Sequence, residues 1–196
     1  MQEHRIVTAL ATHGYCVVPH FFADTDALRD ALLIASDAGA LHRAGVGKGP
    51  QQQVRDEVRG DYVMWLEPSS TDPALRTYFD AMEALRLAIN HHLYMGLFEY
   101  EAHFALYPPG AFYQKHLDGF VGDKRRKVSC VLYLNEEWQP EFGGHLRLYT
   151  TQGTLDIPPD AGTLVCFLSD DLWHEVRPAT RTRLSVTGWF KIRPLP

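Results

Sequence analysis

Hydrophobic positions in the first half of the chain recur three or four residues apart, which is the period of an amphipathic helix. Pro73 marks one helix start, because proline is favoured in the first helical turn. Asp24 offers a side-chain oxygen as the N-cap of another helix. Short apolar runs at 15–18 and 62–66 predict strands between the helices. The predicted helices cover 5–12, 27–40 and 73–94.

The second half of the chain has a different pattern, in which apolar and polar positions alternate over short stretches separated by Pro, Gly and Asp. Several short strands at this spacing indicate a sandwich or an open barrel. Helices followed by strands predict an α+β fold, with the N-terminal helices packed on one face of a β-sandwich. The predicted strands cover 98–107, 111–116, 128–135, 145–150, 163–168, 173–176 and 183–192.

One long polar segment, 45–61, interrupts the first half with four glycines, one proline and almost no apolar residues. Such an insert inside a compact domain is usually a functional loop or a disordered one. A chain of 196 residues with 45% hydrophobic content can bury one core. We therefore expect a single domain over 1–196, with a helix-and-strand part at 1–97 that carries the loop and a β-rich core at 98–192.

Composition excludes several classes of function. The net charge of -5 and the pI near 6.0 argue against a nucleic-acid-binding protein, and the basic run at 124–127 has a solvated strand end as its alternative explanation. No apolar stretch approaches the roughly 18 residues of a membrane span, and the N-terminus lacks the apolar core of a signal peptide. The three cysteines, Cys16, Cys130 and Cys166, lie in apolar runs and form no CxxC pair. This pattern is typical of buried free thiols in a reducing compartment. These features predict a cytoplasmic protein. A monomer or a weak dimer is a separate expectation.

Three side chains suited to a metal lie in the strand-rich half, namely His116, Asp118 and His174. Residues two positions apart on a strand point to the same side, so His116 and Asp118 are expected to share a face. Two imidazoles and one carboxylate on one face of a metal form the facial triad of non-haem Fe(II) oxygenases. The pair alone is a weak indication, because a chain with ten histidines produces this spacing by chance. A hydrogen-bonded histidine near a surface aspartate is the alternative.

The strand at 183–192 strengthens the metal hypothesis. Alternation places Arg183, Thr187 and Trp189 on one face. An arginine on the interior face is costly unless a carboxylate meets it, and this strand contains no acidic residue. A bound carboxylate is therefore the expected partner, since the planar guanidinium binds such a group through two hydrogen bonds. Tyr133 is placed to donate its hydroxyl to the same carboxylate, with an ordinary half-buried tyrosine as the alternative.

The segments 107–118, 131–138, 142–148 and 174–183 resemble the 2-oxoglutarate oxygenases of the prolyl 4-hydroxylase group. Within that group the chain more closely resembles the hypoxia-inducible-factor prolyl hydroxylases and their bacterial relatives, over residues 10–192. Arg59 and Asp61, followed by Trp65, resemble the stretch that closes the substrate-covering finger loop of this subgroup. The polar segment 45–61 is accordingly expected to be that finger loop.

The resemblance implies a double-stranded β-helix, or jelly roll, and an Fe(II)- and 2-oxoglutarate-dependent dioxygenase. It implies that the three metal candidates hold Fe(II), that 2-oxoglutarate and O2 are co-substrates, and that ascorbate is a further cofactor to consider. The residues it assigns to 2-oxoglutarate are Arg183, Tyr133, Tyr107, Thr187 and Tyr113. The residues it assigns to the substrate side are Arg126, Trp189, Arg59, Asp61 and Trp65.

For the reaction, the resemblance favours hydroxylation of an exposed prolyl residue in a protein at C4, and the bacterial relatives suggest elongation factor Tu as the target. The long polar loop suits an extended polypeptide better than a small ligand. Two alternatives remain open at this point: a hydroxylase of a free amino acid or small metabolite, and a low-turnover oxygen or metal sensor. A metal-free β-sandwich is the remaining, non-enzymatic alternative.

Overall fold

The computed structural model describes residues 2–45, 54–55, 57–119 and 125–194, so most of the expected finger loop lies outside the described residues. Within these ranges the helices are α1 Gln2–His13, α2 Thr25–Asp37 and α3 Pro73–Leu93. The strands are β1 Tyr15–Val18, β2 His42–Arg43, β3 Tyr62–Trp65, β4 Leu97–Tyr107, β5 Tyr113–His116, β6 Arg126–Tyr133, β7 Leu146–Thr150, β8 Gly153–Ile157, β9 Leu164–Leu168, β10 Trp173–Val176 and β11 Arg183–Ile192.

Helix α3 begins where the sequence predicts. Pro73 occupies its first turn, and the Asp72 carboxylate accepts hydrogen bonds from the amides of Ala74 and Leu75 at 2.8 and 3.1 Å. These bonds satisfy two of the amides that a helix leaves unpaired at its start. The helix ends at Tyr94, whose left-handed backbone (φ 52°) stops the helical hydrogen-bond pattern.

One local prediction needs correction, and two short strands were not predicted. Asp24 precedes α2, but its side chain makes no capping hydrogen bond, so the predicted N-cap interaction is wrong. Strand β8 was not predicted, because it begins with a glycine and is largely exposed at the edge of its sheet, where apolar alternation is weak. Strand β2 has two residues, too few for any periodicity to be visible.

Two antiparallel sheets form the β-rich part. The larger has the strand order β1-β9-β6-β11-β4-β3-β2, and the smaller has the order β5-β10-β7-β8. The non-sequential neighbours show that the chain crosses repeatedly between the sheets, as in a jelly roll. The α+β jelly-roll prediction is therefore confirmed.

Alternation along the central strands divides the apolar residues into two cores. Leu184 and Val186 of β11 face the helices and pack with α1, α2 and α3 in one cluster. Val131 and Tyr133 of β6 face the opposite way and pack between the sheets with Leu148 in the other. Each fully buried aliphatic side chain contributes on the order of 1.5–3 kcal/mol. The helices thus fix the outer face of the large sheet and leave its inner face for the site.

The three cysteines are buried and free, as predicted. Cys130 and Cys166 lie directly across from each other on β6 and β9, with their sulfur atoms 3.5 Å apart. In the part of the chain that the structure describes, no helix is both long and apolar enough to cross a bilayer.

Candidate active site

The three predicted metal ligands meet at one end of the space between the sheets. His116 ends β5 and His174 lies in β10, and these residues are directly paired across the two strands. Asp118 follows in a bend, because β5 ends at His116 and alternation does not extend to the aspartate as expected. The bend nevertheless brings its carboxylate to the histidines, and the three ligand atoms lie within 4.8 Å of one another.

Backbone carbonyls orient both imidazoles. His116 Nδ1 lies 2.7 Å from the carbonyl oxygen of Gln114, and His174 Nδ1 lies 3.0 Å from that of Leu172. A carbonyl can only accept, so each Nδ1 carries a proton and each ring turns its Nε2 toward Asp118. The Nε2 atoms lie 3.5 Å from the two Asp118 oxygens, on the side where a metal would be held. Two imidazole nitrogens and a carboxylate therefore converge on one point.

The protonation states of the cluster suit a cation. Burial alone would raise the pKa of the Asp118 carboxyl, but the neighbouring His174 and His116 outweigh burial and hold that pKa well below its ordinary value. Burial, followed by the proximity of His174, lowers the pKa of His116. Because metals bind deprotonated ligands, this donor set fits Fe(II) at neutral pH without displacing a proton from the carboxylate.

The buried hydroxyl of Ser129 holds the Asp118 carboxylate in place. Ser129 Oγ donates to Asp118 Oδ2 at 2.6 Å and lies 2.9 Å from Ser169 Oγ, and both serines are fully buried. Ser129 lies on the inward face of β6, which is the face that the alternation predicts. Outer partners of this kind hold a ligand in the orientation that the metal needs.

Ser129→Ala is expected to weaken Fe(II) or Co(II) binding by about 10- to 100-fold, the usual effect of losing such a partner. Anaerobic titration calorimetry with Co(II) measures the change. Ser169→Ala is the matched control, since it removes an equally buried hydroxyl but leaves the Ser129–Asp118 bond intact. Equal affinities in both variants would show that Ser129 does not position the carboxylate.

The metal cluster opens into a pocket of about 1000 Å³, counting the space at its mouth. At its inner end Arg183 is 1% exposed, and its Nε donates to the carbonyl of Gly144 at 3.0 Å. The rings of Tyr107 and Tyr133 lie 5.1 and 5.0 Å from the guanidinium carbon. Among the described residues, no carboxylate lies within ion-pair distance of this guanidinium.

Tyr133 adds a second unpaired group beside Arg183. Its hydroxyl is buried and has no hydrogen-bond partner among the described residues. Burial raises the pKa of Tyr133 to about 12, although Arg183 opposes the shift, so the phenol stays a donor. A buried cation without an acidic partner and a buried hydroxyl without a hydrogen-bond partner are both costly, and a carboxylate between them would satisfy both. The residues present therefore fit the distal carboxylate of 2-oxoglutarate.

Two further residues connect this end of the pocket to the metal cluster. The Tyr113 ring stacks on His116, with centroids 3.6 Å apart and planes 17° apart. Thr187 of β11 lines the pocket beside Val131 of β6, its direct neighbour across the sheet. Both residues line the pocket that contains the metal ligands and Arg183.

Arg59 and Asp61 form a closed pair at the pocket mouth. Arg59 Nε and Nη2 donate to the two Asp61 oxygens at 2.7 and 2.6 Å, and Asp61 is 1% exposed. The segment is tied to β5, because Gly60 donates its amide to the Phe112 carbonyl and Arg59 bridges to Tyr113. The pair therefore anchors the end of the expected finger loop beside the metal ligands.

An aromatic wall forms the other side of the mouth. Trp65, which is 45% exposed, lies with its ring centroid 6.1 Å from that of Trp189. The Arg126 guanidinium covers Trp189 at 3.7 Å and donates through Nε to Glu101 at 2.9 Å. Lys191 also donates to Glu101, at 2.6 Å. The Glu101 carboxylate therefore pairs with two cations, Arg126 and Lys191, next to Trp189.

His103 belongs to this wall and was missed in the sequence. It lines the pocket, with its ring centroid 5.1 Å from Trp65 and 5.4 Å from Trp189. The alternation could have found it, because counting back from Tyr107 in steps of two along β4 reaches His103 and then Glu101.

Comparisons with known proteins identify the family of the chain. The family described as the 2OG-Fe(II) oxygenase superfamily matches residues 102–191. The human protein egl nine homolog 1 is 32% identical over 200 residues, and the match covers 94% of this chain. It covers 45% of the human protein, so the chain spans about half the length of that relative.

Two solved structures share the whole fold. The crystal structure of a Pseudomonas putida prolyl-4-hydroxylase is 45% identical, with a TM-score of 0.88, and covers 98% of this chain and 100% of that one. A prolyl hydroxylase from Trichoplax adhaerens, in complex with a hypoxia-inducible-factor oxygen degradation domain peptide, is 25% identical with a TM-score of 0.87, covering 97% and 89%. The chain therefore belongs to the 2OG-Fe(II) oxygenase superfamily, and within it to the group of the prolyl hydroxylases.

Proposed function

We propose that this protein is an Fe(II)- and 2-oxoglutarate-dependent dioxygenase that hydroxylates a prolyl residue at C4 in a protein substrate. The observation that carries the proposal is the buried Arg183, which has no acidic partner among the described residues and lies beside the unpaired Tyr133 hydroxyl. This arrangement opens on the same pocket as His116, Asp118 and His174. A cationic end and a three-ligand metal cluster in one pocket suit a dicarboxylate that must also reach the metal.

In this proposal, each residue of the pocket has a defined task. His116, Asp118 and His174 hold Fe(II), and Arg183 and Tyr133 hold the distal carboxylate of 2-oxoglutarate. Bound Fe(II) and 2-oxoglutarate, with O2, supply the oxidising power for C–H hydroxylation and release succinate and CO2. Three further residues complete the co-substrate site, namely Tyr107, Tyr113 and Thr187.

The chain itself contributes orientation and exclusion of water. Val131, Phe167 and Val176 add apolar side chains to the lining of the pocket. Burial raises the pKa of Tyr107 well above its ordinary value and keeps that phenol neutral beside Arg183. A dry pocket strengthens the Arg183–carboxylate attraction and limits unproductive side reactions.

The pocket mouth supports a polypeptide as the prime substrate. Trp65 is half-exposed beside the buried Trp189, and aromatic side chains of this kind line the grooves in which prolyl rings dock in known peptide complexes. Arg59, Asp61 and Arg126 frame this wall and complete the proposed substrate side. Elongation factor Tu, which the resemblance of the sequence to bacterial prolyl hydroxylases suggests, is the first protein to test. A cytoplasmic site of action is part of the proposal, with which three free cysteines agree.

A lysate experiment tests the function directly. The protein is loaded with Fe(II) and 2-oxoglutarate without oxygen and then exposed to air with a bacterial lysate, with purified elongation factor Tu or with free proline. We expect mass spectrometry to find prolyl residues that gain one oxygen atom, and the Arg183→Ala control to lack this product. Turnover of free proline alone would favour the metabolite hydroxylase. Very slow 2-oxoglutarate consumption with every substrate would favour the sensor.

A further inference from the structure

His103 is a buried polar residue in the substrate side of the pocket. It is 4% exposed and lies on β4 with its neighbour Thr187 directly across on β11. Its ring meets Trp65 edge-on, with an interplanar angle of 81°, and lies beside Trp189. The residue therefore belongs to the aromatic wall and not to the helix-covered core.

The hydrogen bonds of His103 define which nitrogen is an acceptor. Nδ1 lies 3.0 Å from the carbonyl oxygen of Phe104, which can only accept, so Nδ1 carries the proton. Nε2 then keeps its lone pair, and no described residue donates a hydrogen bond to it. Nε2 is not among the fully buried polar atoms that lack a partner, so it is open to the pocket, where an entering donor can reach it.

The surroundings keep the imidazole neutral. Burial, reinforced by the nearby Arg59, lowers the pKa of His103 to about 4, although Asp61 and the Phe104 carbonyl oppose the shift. Because Nδ1 already donates to the Phe104 carbonyl, the neutral ring offers one lone pair, on Nε2, and no charge. It suits an N–H or O–H donor, whereas a carbonyl or carboxylate at the same point would be repelled.

We propose that His103 Nε2 accepts a hydrogen bond from a main-chain N–H of the peptide substrate, adjacent to a prolyl residue that packs on Trp65. A prolyl residue has no N–H of its own, so a neighbouring residue must supply the donor. The aromatic wall would then recognise the prolyl ring by its shape and the neighbouring main chain by one hydrogen bond. This recognition would not depend on the side chains that flank the proline. The inference rests on the proposed prolyl-peptide function and specifies how that substrate is held.

Binding measured by NMR tests the contact without turnover. The protein, labelled with ¹⁵N-histidine and ¹⁵N-tryptophan, is loaded with Zn(II) in place of Fe(II) and with 2-oxoglutarate. The probes are acetyl-Ala-Pro-Ala-methylamide and the matched ester in which the N–H after proline is replaced by oxygen. We expect both probes to shift the indole resonances of Trp65 and Trp189. The amide alone should shift His103 Nε2, and it should bind about three- to tenfold more tightly, as one neutral hydrogen bond allows.

Variants separate this contact from a structural role. His103→Leu is expected to bind the amide and the ester equally, while His103→Gln, which restores an acceptor, regains part of the amide preference. Zn(II) affinity should be unchanged in both variants, because His103 is not among the metal ligands.

Two results would overturn the inference: indole shifts without any change at His103 Nε2, or an amide preference that survives in His103→Leu. If neither probe perturbs the tryptophans, the prolyl-peptide function itself fails, and this contact fails with it. That outcome is distinct from the first two, in which the peptide binds but does not use His103.

Discussion

Replacing His174 by alanine is expected to abolish tight Fe(II) binding and, with it, all hydroxylation. His174 supplies one of three ligands, is 4% exposed and has its Nε2 directed toward Asp118. Two remaining ligands cannot hold a facial site, so the loss should exceed the roughly 100-fold caused by removing an outer partner. Anaerobic calorimetry with Fe(II) gives the affinity, and mass spectrometry of the substrate gives the activity.

The control for this variant is His145→Ala, which removes a histidine that is not part of the metal cluster. It should bind Fe(II) as the unmodified protein does, and circular dichroism should show both variants folded. Unchanged Fe(II) affinity in His174→Ala would contradict the metal site and return the protein to a metal-free β-sandwich.

Arg183→Met is expected to raise the dissociation constant for 2-oxoglutarate while leaving Fe(II) affinity unchanged. The substitution keeps much of the side-chain length but removes the charge that meets the carboxylate. Losing one partner of a buried charge pair costs about 2–5 kcal/mol, which corresponds to roughly 30- to 4000-fold in affinity. Titration of the Fe(II)-loaded protein with 2-oxoglutarate, without oxygen, measures the change.

Arg183→Met should not lower the thermal stability of the protein when 2-oxoglutarate is absent. An arginine that is 1% exposed and lacks an acidic partner among the described residues destabilises the unliganded protein. The melting temperature of Arg183→Met without 2-oxoglutarate should therefore equal or exceed that of the unmodified protein. Arg147→Met is the control, because that arginine pairs with Asp156 at 2.6 Å on the smaller sheet. Unchanged 2-oxoglutarate affinity in Arg183→Met would refute the assigned role.

The face of the sheet on which Arg183 and Tyr133 lie could be predicted from the sequence. Arg183 and Tyr133 point inward and Leu184 points toward the helices, as simple alternation requires. This succeeded because the period of two is a local property of an extended chain, independent of which strands become neighbours. Pro73 as a helix start succeeded for the same reason, since its effect is confined to one turn.

Contacts between distant segments could not be predicted in this way. The sequence contains no local sign that Ser129 would hold Asp118. The pairing of Glu101 with both Arg126 and Lys191 depends on the order of strands β4, β11 and β6 in the sheet. Asp24 shows the reverse case, in which a locally suitable cap is not used. In each case the tertiary arrangement decided which groups came within hydrogen-bond distance.

The metal site itself shows both contributions. The residue types of His116, Asp118, His174 and Arg183 were determined by the sequence alone, and with them the kind of ligand the site can hold. Only the tertiary structure paired β5 with β10, so that His116 and His174 became direct neighbours, and only it left Arg183 buried without an acid among the described residues. The physical reason is that side-chain chemistry and backbone period are local, whereas register and burial arise when the two sheets pack together.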